Sequence, residues 1–396
     1  KLGYSPDSWD AFTKAAIDKG YKLEYLDKAG LTKVKDDNKQ FDFFRGRIIF
    51  PIRNLSGRAL AFGARTLKKD KKVPKYLNSP ETVIYSKSNV LYGIFESKKE
   101  SIKKDLCLLV EGYTDVVSMH HAGVENVVAS SGTALTQGQI RLIQRYTKNI
   151  TILYDGDAAG IRASFRGIDL ILAEGLNVKV VLFPDGQDPG SYAQSVTSEE
   201  LEKFILENSK DFLVFKTDIL LEDAKNDPIK RAGLVHEIVN SIALIPDMIT
   251  RSVYIQECSS LMGIDEQTLI SALNKSRRDN HTKQEKDQRR AANKPTAPTQ
   301  QKSAPSTDPN EPPPEFYEQM YAEEMGAKGI TVPPKQVKAA GSEAKLKHQE
   351  HELTRIMLTI GDKHITVKVN PMDEADGQTQ EDIEIPVGQL IAIAMS

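Results

Sequence analysis

Three short apolar runs, each ending in acidic residues, constrain this chain more than any other feature. Leu106-Cys107-Leu108-Leu109-Val110 leads into Glu111-Gly112-Tyr113-Thr114-Asp115. Ile150-Thr151-Ile152-Leu153-Tyr154 leads into Asp155-Gly156-Asp157, and Val178 to Phe183 leads into Pro184-Asp185-Gly186-Gln187-Asp188. Continuous apolar runs of this length, rich in β-branched residues, read as buried strands of a parallel sheet. Ligands of open α/β sheets sit just beyond the carboxyl ends of the strands, so the three runs are expected to deliver their carboxylates to one edge.

Carboxylates gathered in this way repel one another, and a hard divalent cation is what makes such a set tolerable. Mg²⁺ prefers oxygen ligands and often keeps phosphate as a co-ligand. Asp155 and Asp157 are two residues apart and face the same side of an extended chain, while Gly156 between them permits close approach. The pattern points to phosphoryl-transfer chemistry. For a single Asp after a strand, a helix cap or a solvated loop is the commoner explanation. Three strand ends in this spacing favour the metal.

Glu111-Gly112-Tyr113-Thr114-Asp115, followed by Asp155-Gly156-Asp157, resembles a Toprim domain, the module shared by bacterial primases, topoisomerases and some nucleases. The flanking segments Arg45-Gly46-Arg47-Ile48-Ile49-Phe50-Pro51-Ile52, Pro74-Lys75-Tyr76-Leu77-Asn78-Ser79-Pro80-Glu81-Thr82 and Leu91-Tyr92-Gly93 resemble the bacterial DnaG-type primase family, as does Tyr154 to Gly160. The similarity runs from residue 1 to about residue 275. It implies an α/β fold: a Toprim parallel sheet flanked by helices, with an N-terminal basic mixed α+β subdomain and a C-terminal helical subdomain. The implied activity is RNA primer synthesis on single-stranded DNA in replication, in the cytoplasm, from ribonucleoside triphosphates. Mg²⁺ is the expected cofactor, with Mn²⁺ as a substitute.

The totals neither add to this nor oppose it. A net charge of −2 over 396 residues is no nucleic-acid signature, though a whole-chain sum hides local asymmetry. Two distant cysteines, Cys107 and Cys258, form no CxxC pair, so neither zinc nor a disulfide framework is expected. His120 and His121 are adjacent on a helix and point apart, so they do not chelate together. No stretch is long and apolar enough to span a bilayer. The chain opens at Lys1 within family-like sequence. It is therefore expected to be a fragment lacking the zinc ribbon with which the family begins.

Along the chain, residues 1–100 are assigned to the N-terminal subdomain, 101–200 to the Toprim domain and 201–278 to the helical subdomain. Residues 279–348 have the composition of a disordered linker. Residues 349–396 resemble the start of a helicase-binding domain, with a helix over 349–369, and so the replicative helicase is an expected partner. Residues 1–40 read as a helical entry, with Ser5-Pro6-Asp7-Ser8-Trp9 as a helix start.

Residues 41–95 are basic: Arg45, Arg47, Arg53, Arg58, Arg65, Lys68, Lys69, Lys71, Lys72, Lys75 and Lys87 face only Asp42, Asp70 and Glu81. Lys68 to Lys72 read as a solvated hairpin tip. Arg45, Arg47 and Arg65 are assigned to DNA phosphates, joined by Lys75. The resemblance implies that Lys75, Tyr76, Asn78 and Lys87 hold the incoming nucleotide. Template is expected in a groove between this stretch and the acidic edge, bound mainly electrostatically because aromatics are 7% of the chain.

Asp155, Asp157 and Asp188 are assigned to metal. Glu111 is assigned to metal or to proton movement. Asp115 falls on the first turn of its helix, as a helix-stabilising acid or an accessory of the acidic set. The family pattern implies Asp-Pro-Asp at the third cluster, whereas this chain has Asp188-Pro189-Gly190. Weaker metal affinity is the expectation, with Asp185 the candidate to compensate. Two rival readings are another Toprim enzyme, for which the chain has little room for a tyrosine-bearing strand gate, and a DNA- or helicase-binding module without catalysis.

Overall fold

The computed structural model describes residues 1–34, 39–68, 73–132, 134–155, 158–184, 186–223, 227–292, 365–369 and 381–385. Asp157 and Asp185, and most of the lysine run 68–72, lie outside the described residues. The chain divides into two compact units, Lys1–Lys87 with Thr307–Ser396, and Ser88–Ser306.

The first unit contains β1 (Gly3–Ser5), α1 (Ala11–Asp18), α2 (Leu23–Lys28), β2 (Thr32–Val34), β3 (Gln40–Asp42), β4 (Arg47–Arg53), β5 (Ala59–Thr66) and β6 (Tyr76–Asn78). An antiparallel sheet runs in the order β1-β4-β5-β6, and β2 pairs separately with β3. Its core gathers Leu31, Phe44, Ile49, Phe62 and Leu77, with Phe12 packed against them.

The helical entry needs correction. Residues 3–5 are a strand paired with β4, a long-range pairing that local helix signals do not register. Nor does α1 start at Pro6: it begins at Ala11, and its N-cap Asp10 makes no side-chain cap bond. Asp42, from β3, does that work instead. Its carboxylate accepts from the backbone N–H of Phe12 (2.7 Å) and Thr13 (2.9 Å) and from the Thr13 hydroxyl (2.6 Å). The first-turn N–H groups that have no helical partner are thus satisfied from a distant strand.

The second unit follows with α3 (Ile94–Lys103), β7 (Cys107–Val110), α4 (Tyr113–His121), β8 (Val127–Ala129), α5 (Gln137–Gln144), β9 (Asn149–Tyr154), α6 (Ala158–Ala173), β10 (Asn177–Leu182), α7 (Pro189–Ser195), α8 (Ser198–Asn208) and β11 (Lys210–Asp211). The sheet order is β11-β10-β9-β7-β8. β10, β9, β7 and β8 are mutually parallel, and β11 is an antiparallel edge. From β7 the chain steps to one side to form β8, then returns past β7 to form β9. The strand order therefore reverses between β7 and β9.

A helical bundle completes the unit: α9 (Phe212–Asp223), α10 (Pro228–Leu244), α11 (Met248–Met262) and α12 (Glu266–Ala292). Asp227 caps α10, with Pro228 at its first position, and Gly263 ends α11 in the left-handed region, φ 64°. Helix α12 runs to Ala292, through fourteen residues expected to be linker (279–292). Lys, Arg, Gln, Glu and Ala dominate that stretch and are strong helix formers, so low hydrophobicity alone misled there. At the far end, residues 365–369 and 381–385 pair as the antiparallel hairpin of β12 (Ile365–Val369) and β13 (Glu381–Ile385). The expected helix over 349–369 is corrected at its end: Ile365-Thr366-Val367-Lys368-Val369 is β-branched at alternate positions and more, a strand signal.

Replacing Asp42 with Ala strands the Phe12 and Thr13 donors in a buried site. It should lower the stability of this subdomain by about 3 kcal/mol, read by denaturant unfolding.

Candidate functional site at the carboxyl edge of the parallel sheet

The reversal between β7 and β9 opens a crevice at their carboxyl ends, where doubly wound sheets bind ligands. Glu111 directly follows β7, and Asp155 directly follows β9. Leu109 is in register with Ile152. Continuing that register sets Glu111 beside Tyr154, one residue short of Asp155. Leu182 of β10 is in register with Tyr154, so the third acidic segment leaves the same edge on the next strand. Glu111, Asp155 and Asp188 are all exposed there.

Asp115 reports how near these charges are. It lies on the first turn of α4 and accepts the Gly112 N–H at 3.1 Å. Burial pushes its carboxyl up, and the negative charge of Asp188 pushes it further; the Gly112 hydrogen bond opposes them, and Asp155 and Glu111 add to the rise, leaving it at about 7. Four carboxylates therefore share one field. Asp188 also caps α7, accepting the Ser191 N–H at 2.6 Å. Capping and membership of the acidic set, framed as alternatives from sequence, coexist at this residue.

Gly190 has a steric reason to be glycine here. A Cβ at this position would lie 2.7 Å from Asp115 Oδ1 and 3.3 Å from Asp188 Oδ1. The space a side chain would need is occupied by Asp115. Helix α7 is held against α4 beside it by the Gln194 amide, which donates to Ser118 Oγ at 3.0 Å.

One supporting residue escaped the sequence reading. Ser131, after β8, has φ 62°, and its N–H donates to the Glu111 carbonyl at 3.1 Å. A non-glycine residue in the left-handed region costs about 1 kcal/mol, and here it ties down the end of the strand that carries Glu111. The only signal for it was a Ser-Gly step after an apolar run.

Among the described residues, no group of three or more His, Cys, Asp or Glu side chains is gathered closely enough to hold a metal ion. The donor chemistry nonetheless suits a hard cation. The set is all carboxylate oxygen and mostly exposed, and the negative charges of Asp188, Asp155 and Glu111 add to the burial that raises Asp115.

The basic residues separate into two kinds. On adjacent strands β5 and β6, Arg65 is paired in register with Tyr76. Its guanidinium lies 5.9 Å from the Tyr76 ring centre, and the Lys75 ammonium lies 5.8 Å from it. Tyr76 and Asn78, two apart, share that face. Arg45 is stacked at 4.4 Å on the Trp9 ring.

Arg47 requires correction as a DNA contact. It is 6% exposed, and its guanidinium donates to the carbonyls of Pro74 (2.9 Å) and Lys75 (3.4 Å). It positions the segment bearing Lys75 and Tyr76. Lys87 is likewise buried, at 8% exposure, and its backbone N–H donates to Glu81 at 2.7 Å. The sequence pattern shows a basic residue but not the burial of its head group.

The geometry agrees with comparison to known proteins. Residues 1–98 match the N-terminal domain of the DNA primase catalytic core, 108–193 a Toprim-like domain, and 214–267 the DnaB-helicase binding domain of primase. A crystal structure of a DNA primase domain from Pseudomonas aeruginosa superposes with a TM-score of 0.62 at 31% identity, covering 69% of this chain and 86% of that one. The DnaG catalytic core superposes at 0.60 and 33% identity, over 68% and 86%. The chain belongs to the DnaG-type DNA primase family.

The DNA primase of Halalkalibacterium halodurans is 39% identical over 260 residues, which is 65% of this chain and 43% of that protein. The chain thus spans less than half the length of the curated relatives it matches. The family's Toprim sheet is the five-stranded sheet described above. Its helicase-binding match falls on residues of α9 to α12, whereas the sequence had suggested 349–396.

The Asp115 carboxyl generates a pH signature. It binds its proton more tightly folded than unfolded, raised from the ordinary 3.8 to about 7. Between those values the folded state holds more proton, so this group's contribution to stability is full at low pH and is lost as pH rises through 7. In chelator, the melting temperature should fall from about pH 4 to about pH 7 and level off above. Asp115→Asn keeps an acceptor for the Gly112 N–H and should flatten that fall. Gly190→Ala should destabilise by about 1–3 kcal/mol through overpacking, measured in the same melts.

Proposed function

We propose that this chain is a primase catalytic core, a DNA-directed RNA polymerase that makes short primers on single-stranded DNA. The reading rests on one observation: Glu111 and Asp155 leave neighbouring parallel strands where the strand order reverses, with Asp188 leaving the same edge. A solved relative, the DnaG primase catalytic domain bound to single-stranded DNA, is 33% identical with a TM-score of 0.60. It supports single-stranded DNA as the template of this chain as well.

The reaction joins a ribonucleotide's α-phosphate to a 3′-hydroxyl, with pyrophosphate leaving. Bound Mg²⁺, or Mn²⁺ in its place, would supply neutralisation of the phosphate charge that builds in the transition state. Asp155, Asp157 and Glu111 are the residues that would hold it, with Asp188 contributing its second oxygen. Neutralisation of the set would favour the ionised form of Asp115 beside it.

Lys75 and Tyr76 hold the triphosphate and the base or sugar, Asn78 hydrogen-bonds beside them, and Arg45 and Arg65 bind template phosphate. Arg47 acts through the carbonyls it anchors. The helical bundle is the contact for the replicative helicase, and the enzyme works in the cytoplasm with the replisome.

Primer synthesis on single-stranded DNA with Mg²⁺ tests the reading. Asp155→Asn should cut the rate by at least about 100-fold while DNA binding, read by fluorescence anisotropy, is retained. Inactivity of the unaltered chain with tight DNA binding would instead favour a binding module. Arg65→Ala should weaken DNA binding and lower its salt slope by about one unit.

A further inference from the structure

Lys216 of α9 is wholly buried, at 0% exposure. Its ammonium donates to Asp169 Oδ1 of α6 at 2.7 Å and to Ser241 Oγ of α10 at 2.7 Å. It also lies 4.9 Å from the centre of the Phe165 ring of α6. Phe165 meets Phe215, the neighbour of Lys216, edge to face at 6.1 Å. Three helices therefore meet on one charge.

A buried ammonium costs several kcal/mol unless it is fully paired, and well-packed apolar residues commonly do as well for stability alone. A charge kept here defines one geometry. An apolar contact would let the helices slide, whereas an ion pair and a hydroxyl at 2.7 Å do not.

The helix so gripped is the one next to the acidic edge. α6 begins at Ala158, three residues beyond Asp155. Phe165 lies about 10 Å along the helix axis from that start and Asp169 about 16 Å. The residues on either side belong to different matched segments: Phe165 and Asp169 to the Toprim match, Lys216 and Ser241 to the helicase-binding match. We propose that Lys216 is a positioning residue for the acidic edge. By fixing α6 along its axis, it sets the direction in which the chain leaves β9 at Asp155 and ties that direction to the helical bundle. The metal-binding part of this inference rests on the function proposed above; the mechanical part does not.

The test compares Lys216→Met and the milder Asp169→Asn with Leu269→Ala, a buried substitution on α12 of the same bundle that removes neither the ion pair nor the hydroxyl contact of Lys216. Amide hydrogen exchange is read over 155–168 in the whole chain, and Mn²⁺ affinity by paramagnetic resonance of free ion. Lys216→Met and Asp169→Asn should speed exchange over the first turns of α6 by about tenfold relative to Leu269→Ala at equal distance from each melting temperature. They should weaken Mn²⁺ binding about tenfold, and Lys216→Arg should recover most of both. Equal exchange over 155–168 in the clamp variants and Leu269→Ala overturns the proposal. So does faster exchange with unchanged Mn²⁺ affinity. If the unaltered chain takes up no Mn²⁺, the function reading fails, and the exchange contrast alone decides the clamp.

Discussion

Repulsion between carboxylates on neighbouring strand ends is the constraint around which the second unit is arranged. The strand order brings the ends of β7, β9 and β10 together, and each is followed by an acid. Burial of Asp115 and the charges of Asp188, Asp155 and Glu111 around it raise its carboxyl to about 7. Local structure absorbs part of the strain. Gly112 donates its N–H to Asp115, Ser191 donates to Asp188, and Ser131 in a left-handed conformation holds the backbone at Glu111. The remaining negative charge at this edge is what the proposed metal site rests on.

The sheet and its acidic edge were legible because both depend on local sequence. Buried parallel strands need continuous apolar runs, and crossovers between them are right-handed, so three runs followed by acids imply three carboxylates at one edge. Helix α6 was readable for similar reasons: its run from Ala158 to Ala173 is periodic and is followed by Gly175 at φ 74°. The helix start at Asp227-Pro228 was visible in the same way.

What the sequence hid is what depends on distant partners. Asp42 looked like one of few acids in a basic stretch, yet it completes the first turn of α1. Arg47 and Arg65 carry the same charge on adjacent strands. One is spent on two carbonyls and the other flanks Tyr76, and no local pattern distinguishes them. Gly190 stands where the family pattern implies an acid, and that Asp115 lies against it was not visible from sequence. Lys216 sits in an apolar helix as an apparent exception, and its meaning comes only from Asp169 and Ser241, 47 and 25 residues away in sequence.

The account stands or falls on whether the acidic edge captures divalent ions. Anomalous diffraction from crystals soaked in Mn²⁺ addresses it most directly. The expected result is ion density within about 2.2 Å of carboxylate oxygens of Asp155 and at least one of Glu111, Asp157 and Asp188. Crystals saturated with Mn²⁺ that show no ion at this edge, with Asp155 turned away from Glu111, would contradict it.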